Sequence, residues 1–189
     1  ECHDNHVLWD KLAISAKDAT EAERKEMHKL ALSIVLTSQG IAFLHAGTEF
    51  LRSKKGHENS YNAGDSINAI DWSLKTKNKD VFDYVKALIK MRKEHPAFRM
   101  KTSEEIVNNI HFMDSLPKGV IGYKINGGAV GDSWKEIAVF FNGTSEIQYI
   151  PFPINGWEKA SVSSYVPYGD IPINTVVLIG HSRMILYKN

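Results

Sequence analysis

The chain has 189 residues, with 23 Lys and Arg against 22 Asp and Glu, and 43% of its residues are hydrophobic. That length suits one ordinary domain or two small ones with a sizeable core, and the near-zero net charge gives no field favouring nucleic acid or an anionic membrane. No apolar run is long enough to span a bilayer, and the lone Cys2 excludes an intrachain disulfide without deciding the compartment.

The opening run from Glu1 to Asp10 puts His3 and Asp4 where a short strand is expected to give way to a loop. A carboxylate beside an imidazole, followed by Asn5 and His6, is a set of donors and acceptors suited to gripping vicinal hydroxyls or a metal. Extended backbone would send His3 and His6 to opposite faces, and no second cluster completes a zinc site, so no metal is expected here. With no initiator methionine and no signal sequence, the chain is expected to have lost sequence upstream.

From Thr20 the run Thr-Glu-Ala-Glu forms a capping box. Met27, Leu30, Ala31, Ile34 and Val35 follow at helical spacing, which predicts an amphipathic helix ending near Ser38 to Gly40. Gly40 to Gly47 is short, apolar and bounded by glycines, as expected of a strand buried on both faces in a parallel sheet, and strand after helix suggests a βαβ unit. The polar stretch from Thr48 to Lys79 is too long for an idle connection, and long loops after strands are where α/β proteins place function.

A second helix is predicted from about Lys79, with Val81, Phe82, Val85, Leu88 and Ile89 on one face and cations near its end, until Pro96 stops it. Beyond Met100 the grammar changes to short β-type runs: 106–113, 120–125, 137–142, 147–151, 160–166, 175–178 and 183–187. Turn-forming sequences such as Asn126-Gly127-Gly128 and Asn142-Gly143-Thr144 separate them, so an antiparallel β-sandwich is expected.

Three blocks, Glu1 to Leu12, Gly40 to Lys54 and Asn59 to Trp72, closely resemble type I pullulanases in order and spacing, and the likeness extends through Lys86 to Arg99. These are starch-debranching members of the α-amylase superfamily, glycoside hydrolase family 13. The resemblance implies that residues 1–101 are the C-terminal end of a catalytic (β/α)8 TIM barrel, with strands seven and eight and their helices. Residues 102–189 would be a C-terminal antiparallel β-sandwich domain. The family's retaining mechanism needs an aspartate nucleophile and a glutamate acid/base from strands four and five, both upstream of this sequence.

By the same resemblance Asp4 matches the carboxylate that holds the sugar 2- and 3-hydroxyls and stabilises the transition state, and His3 the adjacent sugar-binding histidine. Asp65 matches an acidic position facing the same subsite, against the alternative of an Asx-turn beside Gly64. Asn5, Arg52 and Tyr61 are further substrate-binding candidates, with orienting the loop the alternative for Asn5, and with loop bracing and packing the favoured alternative for Arg52 and Tyr61. Trp9, Trp72, Trp134 and Trp157 could stack on sugar, but rings beside core elements more often pack.

The resemblance implies an α-glucan partner (pullulan, amylopectin, glycogen or limit dextrins), the missing N-terminal part of the same enzyme, and no nucleic acid or membrane span. No cofactor is implied, although calcium in a full-length enzyme is compatible with the family. The alternatives are another family 13 enzyme, such as an isoamylase, branching enzyme or maltodextrin hydrolase, or a non-catalytic carbohydrate-binding module. The location leans secreted, periplasmic or cell-surface, with cytoplasmic also compatible.

Overall fold

The computed structural model describes residues 5–164 and 173–189. Helices come first and antiparallel sheets follow. Helix α1 spans Leu8–Ser15, α2 Glu21–Thr37, α3 Asp65–Asn68, α4 Ser73–Lys77, α5 Lys79–Glu94 and α6 Ser103–Asn109. Strands are β1 Ile110–Phe112, β2 Val120–Asn126, β3 Glu136–Asn142, β4 Gln148–Pro151, β5 Glu158–Lys159, β6 Thr175–Leu178 and β7 Ser182–Lys188. Among the described residues no helix is long and apolar enough to cross a membrane.

The capping box at the start of α2 forms as expected: the Glu23 backbone N–H donates to Thr20 Oγ1 and the Glu23 carboxylate accepts from the Thr20 N–H. The buried face of α2 differs from the expected one. His28, Leu30, Leu32, Ser33, Leu36 and Thr37 are buried, whereas Ile34 and Val35 are exposed. Polarity alone misplaces this face, because each buried polar group has a partner: His28 Nε2 lies 2.8 Å from Thr48 O, Ser33 Oγ donates to Lys29 O and Thr37 Oγ1 donates to Ser33 O. Helix α5 buries Val81, Val85 and Leu88 as expected, with Phe82 and Ile89 only half-buried.

The sheets form a sandwich of unequal halves. One has the order β1-β2-β3-β7-β5, the other pairs β4 with β6, and every pairing is antiparallel. Strand alternation sends Tyr123, Ile125, Ile137, Val139, Phe141 and Ile185 toward α2 and α5 in one continuous core. The opposite face sends Val120, Ala138, Phe140, Met184 and Leu186 against Ile150, Val176 and Leu178 of the small sheet. The large sheet is thus covered on both faces, and one core runs from the helices into the sandwich.

Three local expectations change. Residues 106–109 are helical, because Thr102 and Glu105 form a second capping box that starts a helix running into the β-branched run. The run expected at 160–166 gives its pairing instead at Glu158–Lys159, with residues 160–164 outside any strand and 165–166 outside the described residues. Residues 41–45 form no ladder. Ile41 is 98% and Phe43 66% exposed, while Ala42 and Leu44 pack on the helical core, so residues 41–44 alternate as a strand does. The strand expected to end at His3 and Asp4 lies outside the described residues.

Candidate functional site

The long segment after Gly47 is held by polar contacts. Gly47 has a φ of +92°, and a Cβ there would fall 2.8 Å from Arg52 Cβ and Cδ, so the turn requires glycine. A 3-10 turn, Thr48–Phe50, leads to Leu51, a buried residue with φ +64°, and Arg52 N–H donates back to Gly47 O at 2.9 Å. Such a bulky residue in the left-handed region is a local strain that the surrounding contacts must sustain.

Arg52 is 8% exposed and spans the loop: Nη1 donates to Ala46 O at 3.1 Å and Nη2 to Asn68 O at 2.5 Å. Asn68 Nδ2 donates to Ser60 O at 2.6 Å, and Lys54 Nζ donates to Ser60 Oγ at 2.7 Å. Behind these, buried Asp10 of α1 accepts the backbone N–H groups of Lys54 and Gly56. At the end of the loop Asp71 accepts from the Ser73 N–H and hydroxyl, which hold its carboxyl below the usual carboxylate range.

This frame presents Tyr61, 83% exposed, and Asp65, the exposed first residue of α3 after Gly64 with φ +74°. Asn5 is exposed, has φ +75°, and spends its Oδ1 on the His6 N–H at 2.8 Å. His3 and Asp4 lie outside the described residues. Of the remaining candidates, Arg52 sits inside the loop frame, while Asn5, Tyr61 and Asp65 face solvent. Among the described residues, no group of three His, Cys, Asp or Glu side chains could hold a metal.

The aromatic candidates divide. Trp9 packs edge-on to His28 with Arg24 over its face, and Trp134 is stacked between His95 at 3.5 Å and Tyr187 at 4.2 Å. Trp157 packs against Phe152. Trp72 stays 66% exposed beside Phe50, so of the four it offers the most open face next to the loop.

A family model described as "Pullulanase, all-beta domain" matches residues 106–161. The pullulanase of Bacillus subtilis strain 168 is 36% identical over 146 residues, which cover 77% of this chain and 20% of that protein. The solved pullulanase from Bacillus acidopullulyticus matches 98% of this chain with a TM-score of 0.88 and 39% identity. The chain belongs to the pullulanase family. The pullulanase from Anoxybacillus sp. LM18-11 complexed with maltotriose matches 100% of this chain, with a TM-score of 0.88 and 37% identity. This chain covers 23% and 26% of those two structures, so it spans about a quarter or less of the pullulanases it matches.

The residues that sequence reasoning missed are the braces of this pullulanase loop: Asp10, Asn68 and His28. A local signal for Asp10 was absent, since its partners lie 44 and 46 residues away. His28 is fully buried beneath the loop, and burial pushes its pKa down to about 4 from the ordinary 6.5. It is therefore neutral at pH 7, and Nε2–H donates to Thr48 O.

The linkage has a defined sign. Because the folded pKa is lowered, the unfolded chain takes up the proton first, so stability is complete above pH 6.5 and is lost as pH falls toward about 4. The loss on passing through that window is about 3 kcal/mol. Urea unfolding at pH 7.5 and pH 4.5 should show a larger fall for the natural chain than for His28→Gln, and equal falls would remove His28 as the cause.

Proposed function

We propose that this chain is the C-terminal part of a starch-debranching glycoside hydrolase that cleaves α-1,6 linkages in pullulan and branched α-glucans with retention. The likeness over its whole length to a pullulanase complexed with maltotriose is the observation that carries this reading. In it, residues 1–101 are the end of the catalytic barrel and 102–189 the C-terminal sandwich domain. The strand-like alternation of residues 41–44 supports the barrel assignment, as does the open cavity of 320 Å³ lined by Leu44, Phe82 and Ile89. An eighth barrel strand would need partners on both sides and helices packed outside it.

Asp4 holds the 2- and 3-hydroxyls of the sugar at the cleavage point. Those bonds strengthen as the ring flattens toward an oxocarbenium ion, so they act chiefly in the transition state. His3 and Asn5 grip the same sugar from the same segment, and Asp65 and Tyr61 approach it from the loop that Arg52 braces. The attacking carboxylate and the acid/base belong to strands upstream of this sequence. The 189 residues therefore bind and distort the sugar without breaking its bond.

The product of pullulan digestion tests the linkage. The full-length polypeptide containing this chain should release maltotriose, the unit between successive α-1,6 bonds. Trisaccharides that retain an α-1,6 bond would indicate α-1,4 cleavage and overturn the debranching assignment.

A further inference from the structure

Within the loop from Ser53 to Trp72 only Ser60 is buried, so apolar packing does little to fix it. Polar contacts must do so, and two of them meet on one carboxylate. Asp10 is 7% exposed, and its Oδ2 accepts from Lys54 N–H at 2.8 Å and Gly56 N–H at 3.0 Å. Lys55 and Gly56 both have positive φ, +54° and +79°, and His57 N–H closes the turn on Lys54 O. This concave backbone points two N–H groups at one anion. A charge-assisted pair of this kind is stronger than neutral hydrogen bonds.

The turn in turn holds α3. Lys55 Nζ donates to Ser66 O at 2.9 Å, close to Arg52 Nη2 on Asn68 O. Both carbonyls lie in a one-turn helix whose own bonding leaves them open, and the first residue of that helix is Asp65. At its other end the clamp belongs to α1, which starts four residues after Asp4.

We propose that Asp10 is a positioning residue: its carboxylate locks the turn at residues 53–57 onto α1 and, through Lys55, sets where Asp65 stands relative to the segment carrying Asp4. The proposal rests on the debranching reading given above. It predicts that the clamp contributes to sugar binding rather than only to folding, because it couples two segments that meet at one sugar.

The test uses the full-length polypeptide with Asp10→Ala, Asp10→Asn and Lys55→Ala, read by steady-state kinetics on pullulan and by amide hydrogen exchange. Asp10→Ala should speed exchange of the Lys54 and Gly56 amides and raise KM about tenfold with a smaller change in kcat. Asp10→Asn keeps an acceptor oxygen and should recover most of the affinity. Lys55→Ala should reproduce the rise in KM while leaving those two amides protected. Natural KM in both Lys55→Ala and Asp10→Ala, or unchanged exchange in Asp10→Ala, overturns the proposal. If Asp10→Ala does not fold, Asp10→Asn and Lys55→Ala decide it. A natural polypeptide that turns over no α-glucan would sink the debranching reading and the positioning role together, whereas the exchange data would still report the clamp.

Discussion

Asp4→Asn in the full-length polypeptide is expected to lower kcat on pullulan by about a hundredfold or more, with KM and melting temperature close to natural values. Under the proposed function, the substitution preserves shape and one acceptor oxygen but removes the negative charge that would stabilise the developing oxocarbenium ion. Ground-state binding of neutral sugar hydroxyls loses comparatively little, so the deficit falls on the chemical step. Turnover within a few-fold of natural would remove Asp4 from the mechanism. Tyr61→Ala serves as a contrast, since an 83% exposed ring offers contact area without a charge and should act on KM.

The second large effect is on stability. Arg92 is 9% exposed and gathers four main-chain carbonyls: Nη1 donates to Leu36 O, Ser38 O and Phe98 O at 3.1, 2.7 and 2.6 Å, and Nη2 donates to Gly40 O at 2.7 Å. It ties the C-terminal end of α2 and the entry to residues 41–45 to the turn that follows α5. Arg92→Ala leaves those acceptors without their donor and should cost about 3–5 kcal/mol in urea unfolding. Arg92→Lys should recover only part, because an ammonium on a flexible stem cannot reproduce the planar fork. A loss below about 1 kcal/mol for the alanine variant would show that water replaces the guanidinium at these carbonyls.

What could be read in the sequence followed the range of the forces involved. The capping box at Thr20 and the stop at Pro96 are local, so α2 and α5 fell close to their expected places. Alternation located β2, β3, β6 and β7 for the same reason. The box at Thr102 and Glu105 was equally local, but the β-branched residues after it suggested a strand, and the cap prevailed. The buried face of α2 depended on His28, Ser33 and Thr37 finding acceptors, which periodicity does not register.

The site divides along the same line. Asp4, His3 and Asp65 stood out through the resemblance of whole blocks. The frame that holds the loop did not, since Asp10, Arg52 and Asn68 act through contacts between residues distant in the chain or on main-chain atoms that carry no residue code. Arg52, named as a substrate-binding candidate, has both terminal nitrogens engaged on carbonyls and acts in this structure as a brace. Its substitution should loosen Ala46 and Asn68 together.

Under the proposed function, these residues grip and distort an α-glucan at a branch point while groups elsewhere in the polypeptide break the bond. Pullulan incubated in parallel with the full-length polypeptide and with residues 1–189 alone tests it most directly, by reducing-sugar release and product identity. Maltotriose from the first and no reducing sugar from the second is the predicted result. Turnover by residues 1–189 that Asp4→Asn abolishes would contradict it, because the bond-breaking groups would then lie within this chain.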